Sequence, residues 1–268
     1  MTPVISGATK VVEHLALPAR HLRTPSYFNA FCVEQQLDAV LVPWQVAPEN
    51  LAGALEGLQR VENLAGVIVT IPHKGPIAAL CDSLSPTAAF LNVANVARRD
   101  ASGRFHGEMF DGTGMLRGLR RAGHDIAGRR ALLIGAGGAA AGVAEALVRA
   151  GVERLSIANR SQAKARDLTQ RLRVAFPGCQ VDVAEADASG CDLVINGTSL
   201  GMHAGDPLPV DPRTLAPGAL VAEVVMEPDE TPFLIAAAER GCVVHKGVHM
   251  IECQIELLAD FLLTHPDS

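Results

Sequence analysis

Residues 131–143 read Ala-Leu-Leu-Ile-Gly-Ala-Gly-Gly-Ala-Ala-Ala-Gly-Val, an order suited to holding a phosphorylated ligand. The apolar run Ala131 to Ile134 predicts a short buried strand, and Ala139 to Ala150 predicts a helix of small and apolar residues. Between them, Gly135, Gly137 and Gly138 permit a turn that a Cβ would obstruct. Backbone N–H groups of Gly135, Ala136, Gly137, Gly138 and Ala139 can then approach a pyrophosphate lying on the positive end of the helix. The pattern is G-x-G-G-x-A, with Ala140 where the common form has a third glycine; alanine still allows close packing of helix on strand. Such a turn also serves β–α units that bind nothing, so the residues after the helix carry weight. A second strand within Gly151 to Ala158 ends at Asn159-Arg160-Ser161, about 24 residues after Gly135. A site for NAD usually places an acid there to bond the ribose 2′-hydroxyl; here there is none. The Arg160 guanidinium suits a 2′-phosphate, and Lys164 and Arg166 add positive charge. NADP(H) is the expected cofactor, with NAD(H) left open.

Two other groups of residues are of chemical interest. Lys74 follows an apolar strand and a proline turn, Val69-Thr70-Ile71-Pro72-His73-Lys74, which would aim it into a cleft; Asp111 opens a glycine-rich crossing, Phe110-Asp111-Gly112-Thr113-Gly114. Cys242, His245, His249 and Cys253 are zinc-type ligands, but Cys242 lies in an apolar strand-like run and Gly247 marks a turn between the halves. Structural zinc sites favour tighter paired spacings, so no metal is expected.

These residues must be positioned by a chain of 268 residues, 49% hydrophobic, enough for one large domain or two modest ones. The net charge of −6, without a basic run, argues against nucleic acid as a partner. No apolar stretch is long enough to span a membrane, and the first residues lack the pattern of a secretory signal. Six cysteines without a C-x-x-C pair are expected to be reduced thiols in a cytoplasmic protein.

The first 105 residues alternate strand and helix. Strands are expected over Val11 to Leu17, Asp38 to Trp44, Ala65 to Thr70 and Val93 to Ala97. Helices are expected from Pro25 through Gln35, over Ala47 to Arg60 and over Pro76 to Asp82, with Arg98 to Arg104 a polar turn. This alternation predicts a mainly parallel α/β sheet before the glycine turn is reached. Met115 to Arg121 leads as a helix into a second sheet. That sheet continues through the glycine-turn strand, Cys191 to Ile195, Ala219 to Val225 and Cys242 to Val244. Pro232 to Arg240 and His249 to Leu263 read as helices, and Pro207 to Pro217 as a loop.

Taken together and in order, a set of short motifs resembles the shikimate dehydrogenase family over nearly the whole chain. They are Val69-Thr-Ile-Pro-His-Lys74, Asn95, Phe110-Asp111-Gly112-Thr-Gly114, the glycine turn, Asn159-Arg160-Ser161, Asn196-Gly-Thr-Ser-Leu-Gly-Met202 and Gly247-x-x-Met250-x-x-x-Gln254. The resemblance implies a two-domain α/β protein. Residues 1–110 with 246–268 would form a substrate-binding domain, residues 111–245 a Rossmann-type NADP domain, with the C-terminal helix returning to the first domain and the active site in the cleft between them. It implies reversible hydride transfer between nicotinamide and a ring carbon, with 3-dehydroshikimate and shikimate as the usual pair. By the same resemblance Lys74 and Asp111 are the catalytic pair, and Thr24, Thr70, Asn95 and Gln254 hydrogen-bond a small cyclic hydroxy acid. Thr198, Ser199, Met202, Gly247 and Met250 join the glycine turn in holding the cofactor. The protein is expected to be a monomer or a homodimer.

The chemistry agrees with these residue types. Oxidising a secondary alcohol removes a hydride from carbon and a proton from oxygen, and the protein must handle the proton. A lysine with a carboxylate beside it can do so. Departures from the family pattern fall on the substrate side. The family's His-Ser-x-Ser-Pro, whose serines hold a carboxylate, is here His21-Leu22-Arg23-Thr24-Pro25, which keeps one hydroxyl. Asn92 replaces a glycine, Val96 a threonine, Met109-Phe110 an Asn-Thr pair, and Glu223 and Met226 an Asp and a Tyr. These changes leave open a quinate-type dehydrogenase with an altered carboxylate loop. A nucleotide-binding regulator without turnover is the alternative of another class, which the retention of Lys74, Asp111, Asn95 and Gln254 opposes.

Overall fold

The computed structural model describes residues 3–264, which divide into two compact units. One runs to Phe110 and resumes at Gln254; the other is Asp111–Cys253. Among the described residues no helix is long and apolar enough to cross a membrane.

The first unit opens with β1 (Lys10–Ala16), α1 (Thr24–Glu34) and β2 (Ala39–Gln45). A 3-10 turn leads to α2 (Leu51–Leu58), β3 (Leu64–Val69) and α3 (Lys74–Leu80). Then come β4 (Ser83–Leu84), α4 (Pro86–Leu91), β5 (Val96–Arg99) and β6 (Phe105–Glu108). The sheet order is β2-β1-β3-β5-β6-β4. β3 is buried along its whole length, as its unbroken apolar sequence requires of a strand covered on both faces. β1 pairs in parallel with β2 and β3, while β5 runs antiparallel to both β3 and β6.

That β5–β6 hairpin is where the structure departs from the sequence reading. Arg98 and Arg99 belong to β5 rather than to a polar turn. Arg98 is buried with its guanidinium over the Phe261 ring, 5.8 Å from the centroid. Arg99 Nε and Nη2 both donate to the Gln59 carbonyl, at 2.9 and 2.7 Å. Asp100 closes the turn, accepting from the backbone N–H groups of Ser102 and Arg104 and from the Ser102 hydroxyl. Hydrogen bonds from His106 and Ser102 hold its carboxyl well below the usual carboxylate range.

The second unit is α5 (Asp111–Arg121), β7 (Arg130–Ile134), α6 (Gly138–Arg149), β8 (Arg154–Ala158), α7 (Gln162–Ala175) and β9 (Gln180–Val183). It continues with β10 (Leu193–Asn196), β11 (Leu220–Glu223), α8 (Pro232–Glu239), β12 (Val243–His245) and the start of α9 (Val248–Ala259). Its sheet is wholly parallel in the order β12-β11-β10-β7-β8-β9. The chain builds outward from β7 in one direction and then, from β10, in the other. Such a reversal leaves a crevice at the carboxyl ends of the two central strands, where doubly wound sheets bind ligands. Leu132, Leu133, Val194 and Ile195 of these strands are fully buried. Helices α5 and α6 approach closely at Gly112 and Gly142, where a Cβ on Gly112 would overlap the Gly142 carbonyl oxygen.

Candidate active site

In the second unit the site grows from the ends of β7, β8 and β10. Ile134 and Asn196 stand side by side in register, so the loops after them are neighbours. Gly135 has φ of 116°, and a Cβ on it would sit 2.9 Å from the Gly197 carbonyl oxygen; only glycine lets the loops meet. Gly137 precedes α6 without any side-chain cap, and nothing lies within 4 Å of where its Cβ would be. The first turn of this 12-residue helix carries N–H groups with no acceptor within the helix, and the space beside Gly137 is open. Those donors, with the positive helix end, fit the pyrophosphate of a dinucleotide. At the end of β8, Asn159 Nδ2 donates to the Ser161 carbonyl at 2.9 Å, tightening the turn that exposes Arg160; Lys164 is exposed one helical turn on. No carboxylate interrupts Asn159-Arg160-Ser161, which fits a ribose bearing a 2′-phosphate.

Asn196, which is fully buried, shapes the third loop. Its Oδ1 accepts from Thr198 N at 3.1 Å and Thr198 Oγ1 at 2.6 Å, and its Nδ2 donates to the Leu200 carbonyl at 2.9 Å. Thr198 is thereby held on the loop against Gly135, with Ser199 exposed beside it. Met202 is half-buried after Gly201, whose Cβ would touch the Thr231 side chain. Met250 is buried near the start of α9, and a Cβ on Gly247 would overlap the Val225 carbonyl oxygen.

Glu223, one departure from the family pattern, is paired with Thr231. Thr231 caps α8, accepting from Leu234 N, while its hydroxyl donates to Glu223 Oε2 at 2.9 Å. Glu223 is fully buried, and burial pushes its carboxyl up to about 7. Between its ordinary value of 4.5 and about 7, the folded protein keeps a proton that the unfolded chain has lost. Its contribution to stability therefore falls as pH rises through that window. Glu223→Gln is expected to leave Tm nearly unchanged at pH 4.5 and to raise it by roughly 5 °C at pH 8. Thermal unfolding at both pH values checks this, and equal differences would refute it.

His245 is buried against His124 and His249, with ring centroids 6.0 and 5.0 Å away; burial and these neighbours push its imidazole down to about 4. Among the described residues no group of three or more His, Cys, Asp or Glu side chains is placed to hold a metal ion.

In the first unit, Lys74 is the first residue of α3 and is half-buried. The turn that presents it is clamped. Thr70 N donates to the Leu15 carbonyl at 3.1 Å, the Thr70 carbonyl accepts from His73 N at 2.7 Å, and Leu17 N donates to the Ile71 carbonyl at 3.1 Å. His73 is buried, with Nε2 donating to the Val46 carbonyl at 2.9 Å. Ala94 N donates to the Lys74 carbonyl at 2.9 Å, tying the approach to β5 onto the start of α3.

Asn95, the next residue, is built into the sheet. Its carbonyl accepts from Val69 N at 2.8 Å and its N–H donates to the Glu108 carbonyl at 3.0 Å. Its side chain accepts from Phe110 N at 2.9 Å and donates to Gln254 Oε1 at 3.2 Å, so two residues far apart in sequence meet as a buried amide pair. Thr24 is buried in the first turn of α1, one residue after Arg23. Asn92 ends α4 at φ 53°, a left-handed position that asparagine tolerates among non-glycine residues, so this departure keeps the backbone. Val96 and Met109 are buried, and Met226 is half-buried. Asp111 is buried at the first position of α5, where the helix dipole favours a negative charge.

Sequence reasoning passed over Asn196 as a loop organiser, Glu223 as the partner of a helix cap, and the adjacent polar residues Glu13 and His14 of β1. Only the last had a visible signal, a charged and a titratable residue inside an otherwise apolar strand.

Comparison with known proteins agrees with this geometry. Residues 15–97 match the shikimate dehydrogenase substrate binding domain, and residues 119–203 match shikimate / quinate 5-dehydrogenase. The shikimate dehydrogenase (NADP(+)) of Rubrobacter xylanophilus is 41% identical over 244 residues, spanning 89% of this chain and 84% of that protein. The shikimate 5-dehydrogenase of Thermus thermophilus, solved with NADP(H) and shikimate, superposes with a TM-score of 0.86 at 26% identity, covering 97% of this chain and 95% of that one. The 5-ketofructose reductase of a Gluconobacter species gives the same TM-score and identity, covering 98% and 96%. With this extent of identity, and with the glycine cradle, the doubly wound sheet and the clamped lysine turn in place, the chain belongs to the shikimate dehydrogenase family.

Proposed function

We propose that this protein catalyses the reversible, NADP-dependent interconversion of 3-dehydroshikimate and shikimate, a step toward aromatic amino acids, as a cytoplasmic monomer or homodimer. The reading is carried by the relative named shikimate dehydrogenase (NADP(+)), 41% identical over 89% of this chain. The unit that runs to Phe110 and resumes at Gln254 serves the substrate, and Asp111–Cys253 serves the dinucleotide, so the division falls after Cys253 rather than at residue 246. NADP, when bound, gives or takes the hydride at its nicotinamide ring.

The protein's own residues handle binding and the proton. Gly135, Ala136, Gly137, Gly138 and Ala139 hold the pyrophosphate through backbone N–H groups. Asn159, Arg160, Ser161 and Lys164 hold the 2′-phosphate. Thr198, Ser199, Met202, Gly247 and Met250 form the nicotinamide end. Lys74 gives a proton to the ketone oxygen as it becomes a hydroxyl and takes it back in the reverse direction; Asp111 orients that hydroxyl. Thr24, Thr70, Asn95 and Gln254 fix the ring through its other polar groups, the amides both donating and accepting.

The test is a steady-state assay of NADP⁺ and NAD⁺ reduction with shikimate and, separately, quinate. Turnover of shikimate with NADP⁺ in preference to the other combinations is expected. Preference for quinate would mean that Leu22 has re-specified the carboxylate loop. NADPH binding without turnover of either acid would make the chain a regulator.

Cofactor choice has its own test. Arg160→Ser removes charge-assisted hydrogen bonds worth about 1.5–3 kcal/mol, so KM for NADP⁺ should rise roughly 10- to 150-fold. KM for NAD⁺, which lacks the 2′-phosphate, should change by less than about threefold. An equal rise for both cofactors would remove Arg160 from the phosphate site.

A further inference from the structure

We propose that His14 is a specificity-determining residue of the substrate site, a neutral imidazole that pairs with a non-reacting ring hydroxyl of the bound substrate in the neighbourhood of Lys74. The inference rests on the dehydrogenase reading above and adds a residue to it.

The placement follows from β1. His14 lies two residues before the end of that strand, flanked in register by Pro43 of β2 and Ile68 of β3. The next residues of the same segment clamp the lysine turn, through Leu15 to Thr70 and Leu17 to Ile71. His14 is therefore built into the floor from which the Thr70–Lys74 turn rises. It is buried, and its Nδ1 has no hydrogen-bond partner among the described residues. Buried side-chain nitrogens are nearly always paired, and an unpaired one beside a candidate site is explained by a partner that arrives with the ligand.

The electrostatic setting fixes which form of the ring is present. Burial, then the nearby Lys74 and His21, push its imidazole down to about 3. The ring thus stays neutral at any working pH, with one donor and one acceptor nitrogen. Glu13, the adjacent residue, points to the opposite face of the sheet by strand alternation. A neutral ring nitrogen can donate or accept according to the tautomer, which matches a hydroxyl, a group that also does both.

The experiment compares the native enzyme with His14→Leu and His14→Asn. The substrates are shikimate and two analogues, each lacking one of the ring hydroxyls that do not react. Expected for His14→Leu is a KM for shikimate about tenfold higher with kcat within about twofold, as for an interaction made equally in ground and transition states. For one of the analogues the two enzymes should be equal, because the hydroxyl that His14 reads is already gone. His14→Asn, which keeps polar atoms near the place of Nδ1, should recover most of the loss. The loss should also be the same at pH 6 and pH 9. An equal loss on all three substrates, or no loss, overturns the role of His14 and leaves the dehydrogenase reading standing. Native enzyme that turns over none of the acids removes that reading, and His14 with it. Should His14→Leu not fold by thermal unfolding, His14→Phe, which keeps a ring of similar shape and removes both nitrogens, carries the same comparison.

Discussion

Lys74→Ala is expected to lower kcat by about a thousandfold while leaving the Kd for NADPH within about twofold. The size follows from the chemistry. A positioned proton donor contributes roughly 10²–10⁴ to the rate, and the variant must use water instead. The selectivity follows from the architecture. Lys74 starts α3 in the first unit, whereas the glycine cradle, Arg160 and the Thr198 loop all belong to the second. The substitution should also be mild structurally, because Lys74 is half-buried and backbone bonds of Thr70, Ile71 and His73 hold the turn. Fluorescence titration of NADPH and steady-state rates on one preparation check both halves. A kcat within about tenfold of native would take the proton away from Lys74. A lost NADPH affinity would mean that its main role is elsewhere.

Gly112→Ala is expected to destabilise the protein by about 3 kcal/mol, lowering Tm by roughly 6–12 °C. The added methyl would overlap the Gly142 carbonyl oxygen and lie 2.7 Å from the Ala146 Cβ, and both are on the buried face of α6. Neither neighbour is the end of a flexible chain, so helices α5 and α6 must separate. Gly112 follows Asp111 directly, and the first turn of α6 is the proposed pyrophosphate site, so separation should also raise KM for NADP⁺. Gly137→Ala is the contrasting case. Its Cβ would meet nothing within 4 Å and its φ is −82°, so stability should be nearly native while cofactor affinity falls, since the methyl would enter the space proposed for the pyrophosphate. Thermal unfolding and NADPH titration of the pair separate the two effects, and similar Tm values for both variants would refute the packing argument.

The strand, glycine turn and helix of the second unit were legible because they are local. A strand, a glycine turn and a helix are consecutive in sequence, and the positive φ at Gly135 is written in the residue type. Arg160 could be placed because the next strand ends a nearly constant distance after the turn. The lysine turn was legible for the same reason, since Thr70 to Lys74 are contiguous. The β5–β6 hairpin was not. Arg98 and Arg99 carry the residue types of a solvated turn, and what buries Arg98 is the ring of Phe261, far along the chain. Asn92 looked like a departure and is a conservative one, a fact that needs its φ of 53°.

By itself, the sequence determined the order of elements, the glycine turn at the head of α6, and the residue types available to move a proton. Each of these is set within a few residues, by periodicity, by glycine or by charge. Only the tertiary structure decided that Asn95 and Gln254 meet as a buried amide pair, that Asn196 shapes the Thr198 loop, that the Thr231 hydroxyl donates to a buried Glu223, and that His14 stands with an unpaired nitrogen in the strand clamping the lysine turn. The physical reason is common to all four. A polar side chain's role depends on whether it is buried and on which group faces it, and both are settled by strands and helices that come together from distant parts of the chain.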